Sequence, residues 1–128
     1  LAGRDIMTLS TGQARRVLVA RELVRDPRVL VFDEPCTGLD PQGMYQLRET
    51  MRTLAAEGRS IILVTHYPED IIPAIDRVLL IKDARVFADG PKGELLRSAV
   101  MSDLFDVPLR VDQHDGWYAL AGDHSGRD

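Results

Sequence analysis

Two adjacent carboxylates, Asp33 and Glu34, are the residues of this sequence whose types and position could do chemistry. They directly follow the apolar run VLVF at residues 29–32. Because this run lacks polar alternation, it predicts a strand covered on both faces, as in a parallel α/β sheet. Pro35 cannot continue a central strand, so both acids should lie at its carboxyl end, where open α/β sheets bind their ligands.

This acidic pair suits a metal-dependent nucleotide chemistry. Neighbouring carboxylates repel each other and are costly to desolvate unless a cation or a proton compensates them. Mg²⁺ carried by a nucleotide would do so, since it takes carboxylate oxygens and keeps several waters. One acid could then hold the metal while the other polarises an attacking water. The alternative is a pair satisfied by helix caps and solvent, and two residues alone do not decide between them.

Three further segments accompany the acids. LSTGQ at residues 9–13 predicts a helix over 11–25 with Ser10 as its N-cap, which is either an ordinary capped helix or an anion site that Gly12 lets a phosphate approach. TGLD at residues 37–40 precedes a helix predicted from Pro41 to residue 57. ILVTH at residues 62–66 belongs to a second buried strand predicted over 60–65, which places His66 at the same sheet edge as the acids.

In this order, the four segments closely resemble the second half of an ATP-binding-cassette (ABC) ATPase domain. LSTGQ resembles its signature motif, VLVFDEP its Walker B strand, TGLD its D-loop, and His66 its switch histidine. The resemblance implies a partial P-loop NTPase fold of the α/β class, with three layers and a mainly parallel sheet, followed by a small C-terminal β-hairpin.

The resemblance also implies roles for individual residues, with ATP and Mg²⁺ as cofactors. Asp33 would secure Mg²⁺ through water, Glu34 would be the general base, and His66 would bind the γ-phosphate and orient the attacking water. Closure over a nucleotide held by the partner subunit would involve Ser10, Thr11, Gly12 and Gln13. Thr11 departs from the glycine that is usual in the family. Asp40 would bridge the two subunits.

The implied partners are a second copy of the domain, with ATP at the interface, and a transmembrane permease. The function implied is ATP-driven dimer closure that powers a transporter, at the cytoplasmic face of the cell membrane. The alternative is a non-transport ABC ATPase of DNA repair or translation. Thr37 and Gly38 differ from the asparagine–histidine of ribosome-acting relatives, and no long coiled-coil insertion is visible.

A phosphate-binding loop of the form G-x-x-x-x-G-K-[ST] does not occur in the 128 residues, and residues 1–8 are expected to contain no strand. We therefore expect the C-terminal half of an ABC domain, inactive alone. Its sheet should expose an edge, so a swapped or sheet-extended dimer is a hypothesis.

Composition and charge fit this interpretation. The single cysteine, Cys36, excludes an internal disulfide, fits a reducing compartment and is expected to be a small buried filler. No apolar run approaches the roughly 18 residues that span a bilayer. Residues 1–98 have a balance of zero between basic and acidic side chains and residues 99–128 have −4, so nucleic-acid binding is not expected. We divide the chain into an ABC half-domain, 1–98, and an acidic extension, 99–128.

The remaining segments predict short elements. A helix is expected over 68–75, and then a hairpin with strands 77–81 and 85–88 that closes the sheet edge and stops at Gly90 and Pro91. Its turn has Ala84 where the family usually has glycine, which implies a different or strained turn. Helices over 94–97 and 102–105 and a strand over 107–111 should follow, and then an Asp-Gly turn at 115–116 into a strand over 117–120. Residues 121–128 should be disordered. The tail is similar to those of import ATPases for metal chelates or oxyanions, including the molybdate and photorepair group; the alternative is a small hairpin that only packs against the domain.

Overall fold

The computed structural model describes residues 6–9 and 28–126. The chain divides into two compact units, with the boundary between His66 and Tyr67. Among the described residues, the first unit contains a parallel sheet and one long helix, and the second contains two antiparallel hairpins with short helices. The division at residue 98, which was based on family resemblance and charge, stays a prediction.

The described residues of the first unit contain a three-stranded parallel sheet. Its strands are β1 (Ile6–Leu9), β2 (Val29–Asp33) and β3 (Ser60–Val64), in the order β1-β2-β3. β1 shows that the expectation of no strand in residues 1–8 is wrong. Its sequence IMTL is short and of mixed β-propensity, but a parallel ladder with β2 supplies partners for its backbone groups.

The two strands that lead to the acids differ in burial. In β2, Leu30 and Phe32 have no exposed surface, while Val29 and Val31 are half-buried, so both faces are at least partly covered. β3 was expected to be equally buried, and this is wrong. Ile62 is 50% and Val64 49% exposed. β3 lies at the edge of the described sheet, and alternation puts these two side chains on the same, uncovered face.

Helix α1 (Pro41–Ala56) connects β2 to β3. It begins with Pro41 in the first turn and ends before Gly58, whose φ of +92° suits glycine after a helix. The predicted helix is therefore confirmed to within a residue. Its buried side is formed by Gly43, Leu47, Met51 and Leu54.

The second unit begins with a single 3₁₀ turn, Pro68–Asp70, where a helix over 68–75 was expected. That expectation is wrong, because Pro73 in the interior of such a helix would lack an N–H and clash with the preceding turn. The first hairpin follows, with β4 (Arg77–Lys82) and β5 (Arg85–Pro91). Among the described residues, β4 and β5 form a two-stranded sheet of their own, and the closure of the parallel sheet's edge by this hairpin stays a prediction. β5 extends three residues beyond its predicted end at residue 88 and ends at Pro91, at the predicted stop.

The last elements are α2 (Lys92–Leu95), α3 (Ser98–Phe105), β6 (Leu109–His114) and β7 (Trp117–Gly122). The predicted Asp-Gly turn between β6 and β7 is confirmed, since residues 115 and 116 both have positive φ. Residues 121–122 belong to β7, so the expected disorder from 121 onwards is wrong there. The core of the unit contains Ile71, Ile72, Leu80, Leu96, Met101 and Tyr118.

Candidate active site

Glu34 stands one residue beyond β2, where the backbone leaves the sheet. Its N–H donates to the Val64 carbonyl oxygen at 2.7 Å, which continues the β2–β3 ladder by one bond. Its φ is +48°, in the left-handed region that non-glycine residues rarely adopt. Such conformations persist where the surrounding structure imposes them, and they cluster at functional sites.

His66 meets Glu34 at this edge of the sheet. The Nδ1 atom of His66 lies 2.5 Å from Oε1 of Glu34. The glutamate side chain is 21% exposed and the imidazole 65%, so the pair lies at the surface with the carboxylate more enclosed. The expected position of His66 beside the acids agrees with this contact.

Asp33 is the last residue of β2, and it is exposed. Among the described residues, no group of three or more His, Cys, Asp and Glu side chains could hold a metal by itself. A cation at Asp33 would therefore take most of its ligands from water and phosphate oxygens. Mg²⁺ prefers that donor set, so Asp33 fits the metal of a magnesium nucleotide.

Asp40 has a structural role at the start of α1. Its Oδ1 accepts the N–H of Gly43 at 2.7 Å and so caps the N-terminus of α1. The signal was present, since an aspartate directly before a proline is a common way to start a helix. Cys36, in the same loop, is 7% exposed and is not in a disulfide, which confirms it as a buried filler.

The four signature residues Ser10, Thr11, Gly12 and Gln13 lie outside the described residues. Their contacts with a nucleotide therefore stay predictions. The described part of the candidate site comprises Asp33, Glu34 and His66 at one sheet edge, with Asp40 at the start of the following helix.

Comparison with known proteins shows what the chain is similar to. Residues 1–37 match the family described as ABC transporter. Over 112 residues, the chain is 41% identical to the uncharacterized ABC transporter ATP-binding protein YlmA of Bacillus subtilis, a match that covers 86% of this chain and 42% of YlmA. Over most of its length the chain is therefore similar to ABC transporter ATP-binding proteins. Nod factor export ATP-binding protein I of Burkholderia orbicola is also 41% identical, over 83% of this chain and 35% of that protein.

Solved structures of ABC proteins share the fold. A metal-chelate type ABC transporter in an inward-facing conformation matches 88% of this chain and 45% of its own, with a TM-score of 0.70 and 21% identity. CbiO1 of Clostridium perfringens, part of the ABC transporter complex cbiONQ, matches 67% of this chain and 35% of its own, with a TM-score of 0.54 and 39% identity. These matches confirm the ABC ATPase fold family. The chain spans less than half the length of the curated relatives it matches.

The helices offer no candidate for a membrane span. Within residues 28–126, none is both long enough and apolar enough to cross a bilayer.

Proposed function

We propose that this chain is part of the ATP-hydrolysing subunit of an ABC transporter, in which ATP-driven closure of a dimer powers transport. The observation that carries the proposal is the Glu34–His66 contact at the carboxyl end of two parallel strands. A carboxylate and an imidazole at this place can together orient and deprotonate a water. The similarity to ABC transporter ATP-binding proteins supports ATP hydrolysis as the reaction in which this water takes part.

Glu34 is the proposed general base. Its Oε1 faces Nδ1 of His66, which makes Oε2 the candidate oxygen for accepting a proton from the attacking water. The positive φ of Glu34 turns its backbone out of the strand, so that the carboxylate lies beyond the strand's end. The hydrogen bond from its N–H to the carbonyl oxygen of Val64 holds the backbone in this position.

His66 is proposed to bind the γ-phosphate. Because Nδ1 faces the Glu34 carboxylate, this nitrogen is the donor, and Nε2 is the ring atom directed to a phosphate oxygen. Nε2 donates a hydrogen bond to a phosphate oxygen when the ring carries a proton on both nitrogens.

Asp33 is proposed to hold Mg²⁺ through water. When bound, the metal would neutralise charge that develops on the β- and γ-phosphates. Asp33 contributes an exposed carboxylate close in sequence to the base, so metal and base would act on the same phosphate group.

The remaining partners follow from the proposed dimer. Ser10, Thr11, Gly12 and Gln13 would close over a nucleotide bound by the second copy, and Asp40 would contribute to the bridge between copies. A permease would hold the subunit at the cytoplasmic face of the membrane. The resemblance of the tail, which contains the β6–β7 hairpin, favours metal chelates or oxyanions as the transported class.

The test measures phosphate release from MgATP by the ATP-binding subunit and by its Glu34→Gln variant. Glutamine keeps the length of the side chain and an oxygen for His66, but it cannot take the proton. We expect release to fall by about 100-fold or more while nucleotide binding is retained. The control is Glu49→Gln on α1, where the carboxylate pairs only with the exposed Arg52 among the contacts described for it. Release by Glu34→Gln at the rate of the unsubstituted protein would contradict the proposal.

The same assay on the 128-residue chain tests whether it is a half-domain. We expect no turnover, because the chain contains no G-x-x-x-x-G-K-[ST] loop. Turnover that Glu34→Gln abolishes would show that these residues carry a different phosphate cradle.

A further inference from the structure

Two overlapping turns lead the chain from β2 to α1. The first spans residues 34–37 and is closed by a hydrogen bond of 3.3 Å from the N–H of Thr37 to the carbonyl oxygen of Glu34. Pro35 occupies its second position, where the fixed φ of proline is already suited to a turn. We call residues 34–39 the double turn. The proposed general base is therefore also the first residue of the double turn.

The second turn spans residues 36–39. It is closed by a hydrogen bond of 3.1 Å from the N–H of Leu39 to the carbonyl oxygen of Cys36. Gly38, at its third position, has a φ of +80°, which glycine adopts without a Cβ clash. Cys36 belongs to both turns, as the third residue of the first and the first residue of the second. Its position therefore determines how the two turns join.

Two neighbouring side chains of the double turn are buried. Pro35 is fully buried, and Cys36 is only 7% exposed. Thr37 and Gly38, which follow them, are exposed. The backbone bonds give the double turn its shape, while buried side chains in close-packed surroundings hold it in place. Of the two buried residues, Cys36 is the one that belongs to both turns.

Glu34 needs an anchor because its backbone is strained. A φ of +48° persists at a glutamate only where the surrounding structure imposes it. On the side of the strand, the 2.7 Å bond from its N–H to the carbonyl oxygen of Val64 supplies one constraint. On the other side the chain runs directly into Pro35 and Cys36. If these two residues moved, the backbone of Glu34 could relax, and its carboxylate would turn away from His66.

We propose that Cys36 is a positioning residue for Glu34: its buried side chain anchors the double turn and so keeps the carboxylate against Nδ1 of His66. This inference rests on the proposed function, since it takes Glu34 as the general base. All the residues involved lie in the first unit. The thiol itself takes no part in the reaction; what the position requires is a small side chain that stays buried.

The test uses the ATP-binding subunit and compares Cys36→Asp, Cys36→Ser and Thr37→Asp. A carboxylate at position 36 is costly to keep buried, so the double turn should move towards solvent in Cys36→Asp. Serine has nearly the size of cysteine and should largely keep the anchor. Thr37→Asp is the matched control, because it adds the same charge one residue further along, at an exposed position.

The readouts are amide exchange at Glu34 and the imidazole nitrogen signals of His66 in NMR spectra without nucleotide. Relative to the amides of β2, Cys36→Asp should speed exchange at Glu34 by about tenfold, and it should shift the His66 signals. Cys36→Ser should change both only slightly. The control should leave the exchange unchanged, and it gives the shift of the His66 signals that the added charge alone causes. In turnover, Cys36→Asp should lower kcat about tenfold with KM for ATP unchanged, and Cys36→Ser should restore most of it.

Exchange that is accelerated equally at Glu34 and throughout β2 would overturn the proposal, because Cys36 would then only stabilise the fold. His66 signals that are the same in Cys36→Asp and Thr37→Asp would also overturn it. If Cys36→Asp does not fold, Cys36→Ala removes Sγ without adding charge and should speed exchange at Glu34 and shift the His66 signals; no change in either would overturn the proposal. Since these readouts need no turnover, failure of the ATPase proposal would be seen separately, in the Glu34→Gln assay.

Discussion

Glu34 combines two demands at a single residue: a carboxylate for chemistry, and a backbone conformation that favours glycine. The φ of +48° is accompanied by the 2.7 Å bond from its N–H to Val64. Glycine there would ease the backbone but remove the proposed base. Glutamate at this position is therefore conformationally less favourable than glycine, but it places a carboxylate at the sheet edge.

A pair of substitutions separates the backbone cost from the loss of the carboxylate. Glu34→Gly and Glu34→Ala both remove the side chain, but only alanine retains the steric cost at positive φ. We expect the glycine variant to have the higher free energy of unfolding, by about 1 kcal/mol, in urea titrations. The control is Gln46, an exposed residue of α1, where alanine should instead be more stable than glycine by about 1 kcal/mol. Equal midpoints for the two Glu34 variants would show that the conformation costs nothing.

For single residues, the sequence predicted which side chains lie close together better than it predicted their backbone conformations. His66 and Glu34 could be placed together because the carboxyl ends of adjacent parallel strands meet at one edge. The positive φ of Glu34 could not be foreseen, because it depends on a bond to Val64, thirty residues away along the chain.

Among the elements, the β4–β5 hairpin carries the clearest strain. Asp83 and Ala84 form its turn with φ of +51° and +61°. Positive φ at both central residues belongs to the tight turn whose twist matches that of the strands, and it favours glycine. The expectation of an unusual turn, made from alanine in place of the family's glycine, is confirmed in its strained form.

Ala84→Gly should therefore stabilise the protein. We expect the free energy of unfolding to rise by about 1 kcal/mol, because glycine adopts positive φ without a Cβ clash. Urea titration measures the change. Ala119→Gly, in the extended backbone of β7, is the matched control and should be destabilising. A loss of stability in Ala84→Gly comparable to that control would contradict the strain.

The hydrogen bond from Nζ of Lys92 to the carbonyl oxygen of Pro73 should give the free energy of unfolding a pH dependence of known sign. Burial lowers the pKa of Lys92 below its ordinary value of 10.5, partly offset by Asp76. At pH values between the lowered and the ordinary pKa, Lys92 binds more protons in the unfolded chain than in the folded chain. The free energy of unfolding therefore increases as pH rises through this range. Relative to Lys92→Met, the free energy of unfolding of the natural chain should increase on approaching pH 10.5 from below.

Lys82 provides a control of opposite sign. The hydrogen bond with Asp106 raises the pKa of Lys82 above 10.5, so its contribution is present below that value and is lost as pH rises through the raised pKa. Urea titrations at a series of alkaline pH values measure both lysines. Curves for Lys92→Met and the natural chain that run parallel would contradict the assignment.

Elements were harder to predict where distant contacts decide their length. The helix expected over 68–75 is reduced to one turn, and its backbone is held instead by Glu69 with Leu120 and by Lys92 with Pro73. Local periodicity contains no information about partners 51 and 19 residues away. By contrast, α1 was predictable because its cap, its periodic core and its terminal glycine are all local signals.

For the whole molecule, two modes of association are to be distinguished, pairing of an exposed strand and the dimer proposed for ATP hydrolysis. The balance of −4 is confined to residues 99–128, while the first unit presents β3 at a sheet edge with half-exposed Ile62 and Val64. An apolar edge strand can pair with a second copy without nucleotide. The dimer proposed for ATP hydrolysis instead requires nucleotide. A dimer that forms without nucleotide would therefore indicate sheet extension, and a dimer that requires MgATP would indicate functional closure.

Asp40 allows functional closure to be tested apart from folding. Its Oδ1 caps α1, so Asp40→Ala should lower the free energy of unfolding by about 1 kcal/mol. Asparagine is an equally good cap, and Asp40→Asn should keep that stability while losing the charge proposed to bridge two copies. In the Glu34→Gln subunit with MgATP, sedimentation velocity should show a dimer that Asp40→Asn weakens about tenfold. A dimer that Asp40→Asn leaves intact would limit this aspartate to the helix cap, because the same substitution then alters neither folding nor association.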